Sequence, residues 1–127
     1  MTQPEARFKA RLKAGFEKVT ADDPHAYWTS LAAGLGQKSG LPDRLCCAFG
    51  ASAWIEAKWG KGKLSDLQMR TCSKLARGSQ RVVVMVGEED RFSVQPFLKN
   101  GELSSGNKFD YKSLSMISLW TTFILGE

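Results

Sequence analysis

Phe8, Leu12, Phe16 and Val19 recur at helical spacing near the start of the chain, with Arg7, Lys9, Arg11, Lys13 and Lys18 filling much of the remainder. An apolar stripe on a charged background predicts a helix over 4–19. Pro4 suits its first turn, where a missing N–H has no partner to lose. Asp22-Asp23-Pro24 ends that helix or begins the turn after it. Tyr27, Trp28 and Leu31 mark a first strand within 26–33, and a glycine-rich polar loop runs from Gly34 to Gly40. Leu45-Cys46-Cys47-Ala48-Phe49 reads as a short buried strand, Gly50-Ala51-Ser52 as a tight turn, and Ala53 to Lys58 as the next strand.

A second helix is predicted over 66–77. Ser65 is its N-cap and Gln68 stands three residues on, the spacing of a capping box. Leu64 and Met69 occupy the flanking apolar positions, Leu67, Cys72, Leu75 and Ala76 supply the buried side, and Arg70, Lys74 and Arg77 share an exposed stripe. Gly78 ends the helix. Val82-Val83-Val84-Met85-Val86 is continuously apolar and mostly β-branched, as in a strand covered on both faces. Beyond an acidic turn at Glu88-Glu89-Asp90, Phe92 to Leu98 and Asn100-Gly101 suggest an irregular hairpin. Asp110 is placed to cap a last helix reaching Leu125. Helix, strands, helix and strand in this order describe an α/β fold with a mixed central β-sheet flanked by helices.

Composition narrows the chemistry. The chain has 127 residues, 43% hydrophobic and 24% charged, which fits one domain, 1–127, and argues against disorder. No apolar run reaches the ~18 residues of a membrane span, and the first residues lack a signal-peptide core, so no membrane association is expected. Three cysteines without a CxxC pair fit neither a zinc knuckle nor a redox site, and point to a reducing, cytoplasmic setting. His25 is the only histidine and lies in a turn, so Ser-His-Asp and Cys-His machinery has little to build on. The net charge of +5 is uneven: residues 1–81 hold 14 Lys and Arg against 7 Asp and Glu, and residues 82–127 hold 4 against 6. An anionic partner is expected on the first two thirds of the chain.

The residues that carry chemistry are Asp43, Glu56 and Lys58. In a strand Glu56 and Lys58 project from one face while Ile55 and Ala57 face the other way. Asp43 precedes the neighbouring strand across a short hairpin, so its carboxylate is expected beside Glu56. Two converging carboxylates suit a hard divalent cation, with the Lys58 ammonium left to hold a water or a developing negative charge. Taken alone, the same residues also read as a turn cap and an exposed ion pair, and Gln68 as a capping partner only.

The order of motifs is more specific. Ser39-Gly40-Leu41-Pro42-Asp43, Trp54-Ile55-Glu56-Ala57-Lys58, Gly60-Lys61-Gly62, Leu64-Ser65-Asp66-Leu67-Gln68 and Val82 to Val86 follow one another in a way that resembles the PD-(D/E)XK nuclease superfamily, and within it the VRR-NUC domain branch. The likeness is strong over 39–86 and loose over 4–38, and residues 87–127 form an extension without a counterpart. It implies a restriction-endonuclease-like fold and a DNA endonuclease dependent on Mg²⁺ or Mn²⁺. Asp43 and Glu56 would hold the metal with the Ala57 backbone carbonyl, Lys58 would be the catalytic lysine, and Gln68 the active-site glutamine. A further glutamate on the first helix would be Glu5, with Glu17 as the alternative. Lys38, Lys61, Lys63, Arg70, Lys74 and Arg77 would meet backbone phosphates.

Small stand-alone members of this branch are often phage-encoded, which would put the protein in a host cytoplasm, and dimeric ones resolve four-way junctions. The resemblance therefore implies a branched DNA substrate. Leu114, Ile117 and Phe123-Ile124 on one side of the last helix, with Met116, Leu119 and Trp120 on others, suggest a homodimer. The competing expectations are a non-catalytic basic module that binds nucleic acid or protein, and an interaction protein working through its apolar tail.

Overall fold

The computed structural model describes residues 3–31 and 40–112. Among these, α1 (Gln3–Val19) is followed by β1 (Tyr27–Ser30), β2 (Arg44–Ala48), β3 (Ala51–Trp59), α2 (Asp66–Arg77), β4 (Val82–Gly87), β5 (Arg91–Pro96) and β6 (Asn107–Asp110). The strands form one sheet in the order β1-β2-β3-β4-β5-β6. Every neighbouring pair is antiparallel except β3–β4. That parallel pair is bridged by α2, since parallel neighbours need a crossover rather than a tight turn.

The two helices cover opposite faces. Phe8, Leu12 and Phe16 of α1 are buried with Ala53, Ile55, Ala57, Val83 and Met85 of the central strands. Cys72 and Ala76 of α2 are buried with Val82, Val84 and Phe97 on the other side. Odd positions of β3 thus face α1 and even ones face α2, which puts Glu56 and Lys58 under α2, beside Val84 and Val86 of β4. Continuous burial of Val82 to Met85 follows from cover on both faces.

The second helix starts as its sequence predicts. Ser65 Oγ accepts from the Gln68 N–H at 3.1 Å, and Gln68 Oε1 accepts from the Ser65 N–H at 3.0 Å. Its buried face is narrower than the apolar pattern suggests, with Leu67 and Met69 both 37% exposed. Gly40 (φ +71°) is pressed against this helix: a Cβ there would lie 2.7 Å from the Leu67 carbonyl oxygen. Only glycine lets the chain leading to Asp43 come this close to α2.

Two boundaries differ from expectation. The β2–β3 turn is Phe49-Gly50, with Ala48 opposite Ala51, so Phe49 leaves the strand and Ala51 and Ser52 join one. A two-residue hairpin turn of type I′ needs positive φ at both central positions, and Phe49 (53°) and Gly50 (79°) supply it. Asp23 Oδ2 accepts from the Phe49 N–H at 2.6 Å and holds the turn down. After β4, the acidic residues turn the chain into β5, which pairs with β4. The Asn100-Gly101 turn closes a smaller loop with Phe97 opposite Leu103, and β6 then returns along β5. Asp110 ends β6 with its Oδ1 accepting from the Lys112 N–H at 2.9 Å. Asp110 is thus the end of a strand; the rest of the predicted last helix beyond Lys112, and the expected loop from Gly34 to Ser39 with Lys38, lie outside the described residues.

Candidate active site

β2 begins just after Asp43, while β3 continues past this point to Trp59, so the β2-side edge of β3 is uncovered from Glu56 onward. Side chains fill that step. The Asp43 N–H donates to Glu56 Oε1 at 3.2 Å, and the Ala57 N–H reaches Asp43 Oδ1 at 3.4 Å. The N–H and C=O of one strand residue point to the same side, so the Ala57 carbonyl opens onto the edge where Asp43 sits. Lys58 Nζ stands 3.4 Å from Glu56 Oε2.

Two further cations converge on Asp43. Lys9 Nζ of α1 lies 2.9 Å from Asp43 Oδ2, and Arg44 Nη1 lies 3.2 Å from the same oxygen. Arg44 also donates to the Asp43 carbonyl at 2.9 Å. Glu56 is 4% exposed, and its pKa is pushed up from 4.5 to about 7, first by burial and then by repulsion from Asp43, against the pull of Lys58. Cys72 of α2 is buried on the same face, and its thiol is pushed up to about 12 by burial and then by the charge of Glu56.

The donor set fits a hard divalent cation. Asp43 and Glu56 are close enough to repel one another, and the Ala57 carbonyl shares their edge, so oxygen donors of the kind Mg²⁺ and Mn²⁺ take are gathered at one point. Lys9 and Arg44 offset the charge of Asp43, and Lys58 that of Glu56. Among the described residues no group of three or more His, Cys, Asp or Glu side chains forms a metal cluster, so a cation here would complete its shell with the carbonyl and solvent.

The remaining predicted residues divide. Gln68 has its side-chain oxygen on the Ser65 N–H, so the structure gives it a capping role. Glu5 lies half-buried one turn before Lys9. Glu17 lies two turns beyond Lys9, about 12 Å along the axis, and is exposed. Since Lys9 marks the level of Asp43, Glu5 is the nearer of the two. Lys61 and Lys63 are exposed in the link after β3. Gly62 in that link folds back on Lys58: a Cβ at Gly62 would sit 3.4 Å from Lys58 Cβ. Arg70 and Lys74 are exposed on α2, whereas Arg77 Nε donates to the Asn100 carbonyl at 3.2 Å. Sequence reasoning missed Lys9 and Arg44. Both carried a signal: Lys9 directly follows the buried Phe8, and Arg44 directly follows Asp43.

Among solved structures the chain is similar to Hjc, a Holliday junction resolvase from the archaeal hyperthermophile Archaeoglobus fulgidus, with a TM-score of 0.54 and 19% identity over 91% of this chain and 88% of that one. The fold is restriction-endonuclease-like. No family model matches the sequence, and no curated protein matches it either. Within this restriction-endonuclease-like fold, the sheet order and the step between β2 and β3 place Asp43, Glu56 and Lys58 together at one end of the central strands.

Proposed function

We propose that this chain is a divalent-metal-dependent DNA endonuclease of the VRR-NUC branch of PD-(D/E)XK nucleases, hydrolysing phosphodiester bonds in branched DNA such as four-way junctions. The observation that carries the reading is the triad of Asp43, Glu56 and Lys58, in which the Asp43 N–H is bonded to Glu56 and Lys58 stands 3.4 Å from the same carboxylate. The fold's likeness to a Holliday junction resolvase supports the choice of branched DNA.

Mg²⁺ or Mn²⁺ held by Asp43, Glu56 and the Ala57 carbonyl would supply Lewis-acid stabilisation of the phosphate and a more acidic water. Lys58, only partly exposed, orients the attacking water or steadies the charge that builds on the phosphate. Lys9 and Arg44 fix the Asp43 carboxylate and leave its Oδ1 side toward Ala57. Glu5, one turn from Lys9, is the proposed further acidic group, and Gln68 is proposed to reach the site only on leaving its cap. Lys61, Lys63, Arg70, Lys74 and Arg77, with Lys38, supply phosphate contacts. A homodimer through the apolar side chains between Asp110 and Leu125, a phage origin and a cytoplasmic setting complete the proposal.

The test is cleavage of labelled four-way junction, flap, single-stranded and blunt duplex DNA with Mg²⁺ or Mn²⁺. Branched substrates are expected to be cut, and Glu56→Ala and Lys58→Ala to abolish cutting while the protein stays folded. Metal-dependent binding or cutting that survives both substitutions would move the site elsewhere. DNA binding without cutting under any metal would make the chain a basic binding module on a nuclease fold.

A further inference from the structure

On the face of β3 opposite Glu56 and Lys58, a cavity of about 280 Å³ opens between the start of α1, the end of β3 and the β4–β5 turn. Arg7, Phe8 and Arg11 line it from α1, Trp59 from β3 and Glu89 from the turn. Phe8, 1% exposed, is its floor. The ring sits this low because Gly87 beneath it has no side chain: a Cβ there would lie 2.6 Å from the ring. Trp59 stands against Phe8 at a centroid distance of 6.0 Å and a tilt of 53°. Its indole is half-buried, so part of the ring borders the cavity.

One of the polar groups, Arg11, is held in place before any ligand arrives. The Arg11 guanidinium lies 4.5 Å from the centroid of Tyr111, and the Tyr111 hydroxyl donates to the Glu88 carbonyl at 2.7 Å. A cation stacked on a tethered ring gives up less freedom on binding. Arg7 stands one turn before Arg11 on the same side of the helix. Two guanidiniums and one carboxylate leave the lining at a formal +1, the complement of a single phosphodiester. The volume lies at the low end of small-molecule sites, too small for a duplex. Guanidinium forks suit phosphate oxygens, and an indole face suits a nucleobase of any identity.

We propose that this cavity holds one unstacked nucleotide of a DNA strand, its phosphodiester on Arg7 and Arg11 and its base against Trp59. The inference rests on the reading of the chain as one that acts on DNA, and names the feature it selects: an unpaired or splayed nucleotide beside the cut. Lys58 and Trp59 are consecutive, with Cα atoms about 3.8 Å apart and side chains on opposite faces. A strand rounding the end of β3 therefore meets the catalytic lysine and the cavity within a few nucleotides. Glu89 at the mouth repels a second phosphate and limits the site to one. Junctions and flaps offer such a nucleotide at the branch, and continuous duplex does not.

The experiment measures DNA binding of the full chain in EDTA, by anisotropy of a labelled short single-stranded oligodeoxynucleotide and of a blunt duplex of the same sequence. Arg7→Ala and Trp59→Ala are each expected to weaken single-strand binding about tenfold, one stacking or charged contact, with duplex binding unchanged within about twofold. Trp59→Phe, which keeps a ring, is expected to retain most of the affinity. Arg7 is exposed, so its variant reports even if Trp59→Ala fails to fold. Equal loss on both DNAs, no loss on either, or no single-strand binding by the wild-type chain would overturn the proposal. Cleavage is scored separately: selective loss without any cutting keeps the cavity and removes the endonuclease, and cutting without selective loss does the reverse.

Discussion

At the scale of single residues, Glu56 is the most consequential position. Its ordinary pKa of 4.5 rises to about 7 in the folded chain, chiefly through burial. The folded protein therefore holds a proton between those values that the unfolded chain releases, and stability falls as pH rises through that window. Metal-free protein is expected to lose roughly 1–3 kcal/mol between pH 5 and pH 8 from this group, read as a lower urea midpoint. Added Mn²⁺ should restore the midpoint at pH 8 by binding the folded state, and Glu56→Gln should flatten both responses. Gln68 invites a second comparison, because its capping bond accounts for its side chain. Gln68→Ala should cost about 1 kcal/mol of stability, whereas Gln68→Glu can keep the cap. If the glutamate variant is as stable as wild type and still loses cleavage of a four-way junction, the glutamine acts beyond the cap. The carboxylates and Lys58 were legible from spacing because strand alternation puts alternate residues on one face. Lys9 was not, because a helix of many cations does not show which one reaches a carboxylate 34 positions later.

At the scale of elements, sequence signals succeeded where local chemistry and burial agree. The second helix was legible down to its cap, and β4 from its valines. The β2–β3 turn was misplaced because Phe49 looks like a strand residue, and only the hairpin's geometry forces it to positive φ. Phe49 is 47% exposed, so burial contributes little to keep it there. Phe49→Asn should raise stability by about 0.5–1 kcal/mol, since asparagine tolerates this conformation better than a bulky residue; thermal unfolding at fixed pH checks it. On α2, Arg70 and Lys74 are exposed while Arg77 is bonded to the Asn100 carbonyl. Neutralising Arg70 and Lys74 should lower the slope of log affinity against log salt by about two. Arg77→Ala should in addition lower the unfolding midpoint, since it loosens the loop after β5. An unchanged slope for the double variant would place the DNA on another surface, with the basic face of α1 the first to probe.

At the scale of the whole molecule, the α/β class, the mixed sheet and the helices on its two faces were legible as an order of elements. The strand order was not, because pairing of β4 beside β3 depends on a crossover that periodicity does not reveal. That crossover also divides the sheet. β1 to β3 are joined by antiparallel pairing among near neighbours in sequence, as are β4 to β6, and one parallel ladder unites the two groups. Local ladders close early and separated ones late, since loop closure must come first. The union of β3 with β4 is therefore the expected slow event in folding, and it sets Glu56 beside Val84 as α2 comes down over both. A carboxylate must surrender its water at that moment. Refolding of the metal-free chain, followed by stopped-flow fluorescence, should accordingly be slower at pH 8 than at pH 6, and Glu56→Gln should remove most of the difference. The group proposed to hold the metal would then also set the pace at which the two halves of the sheet find each other.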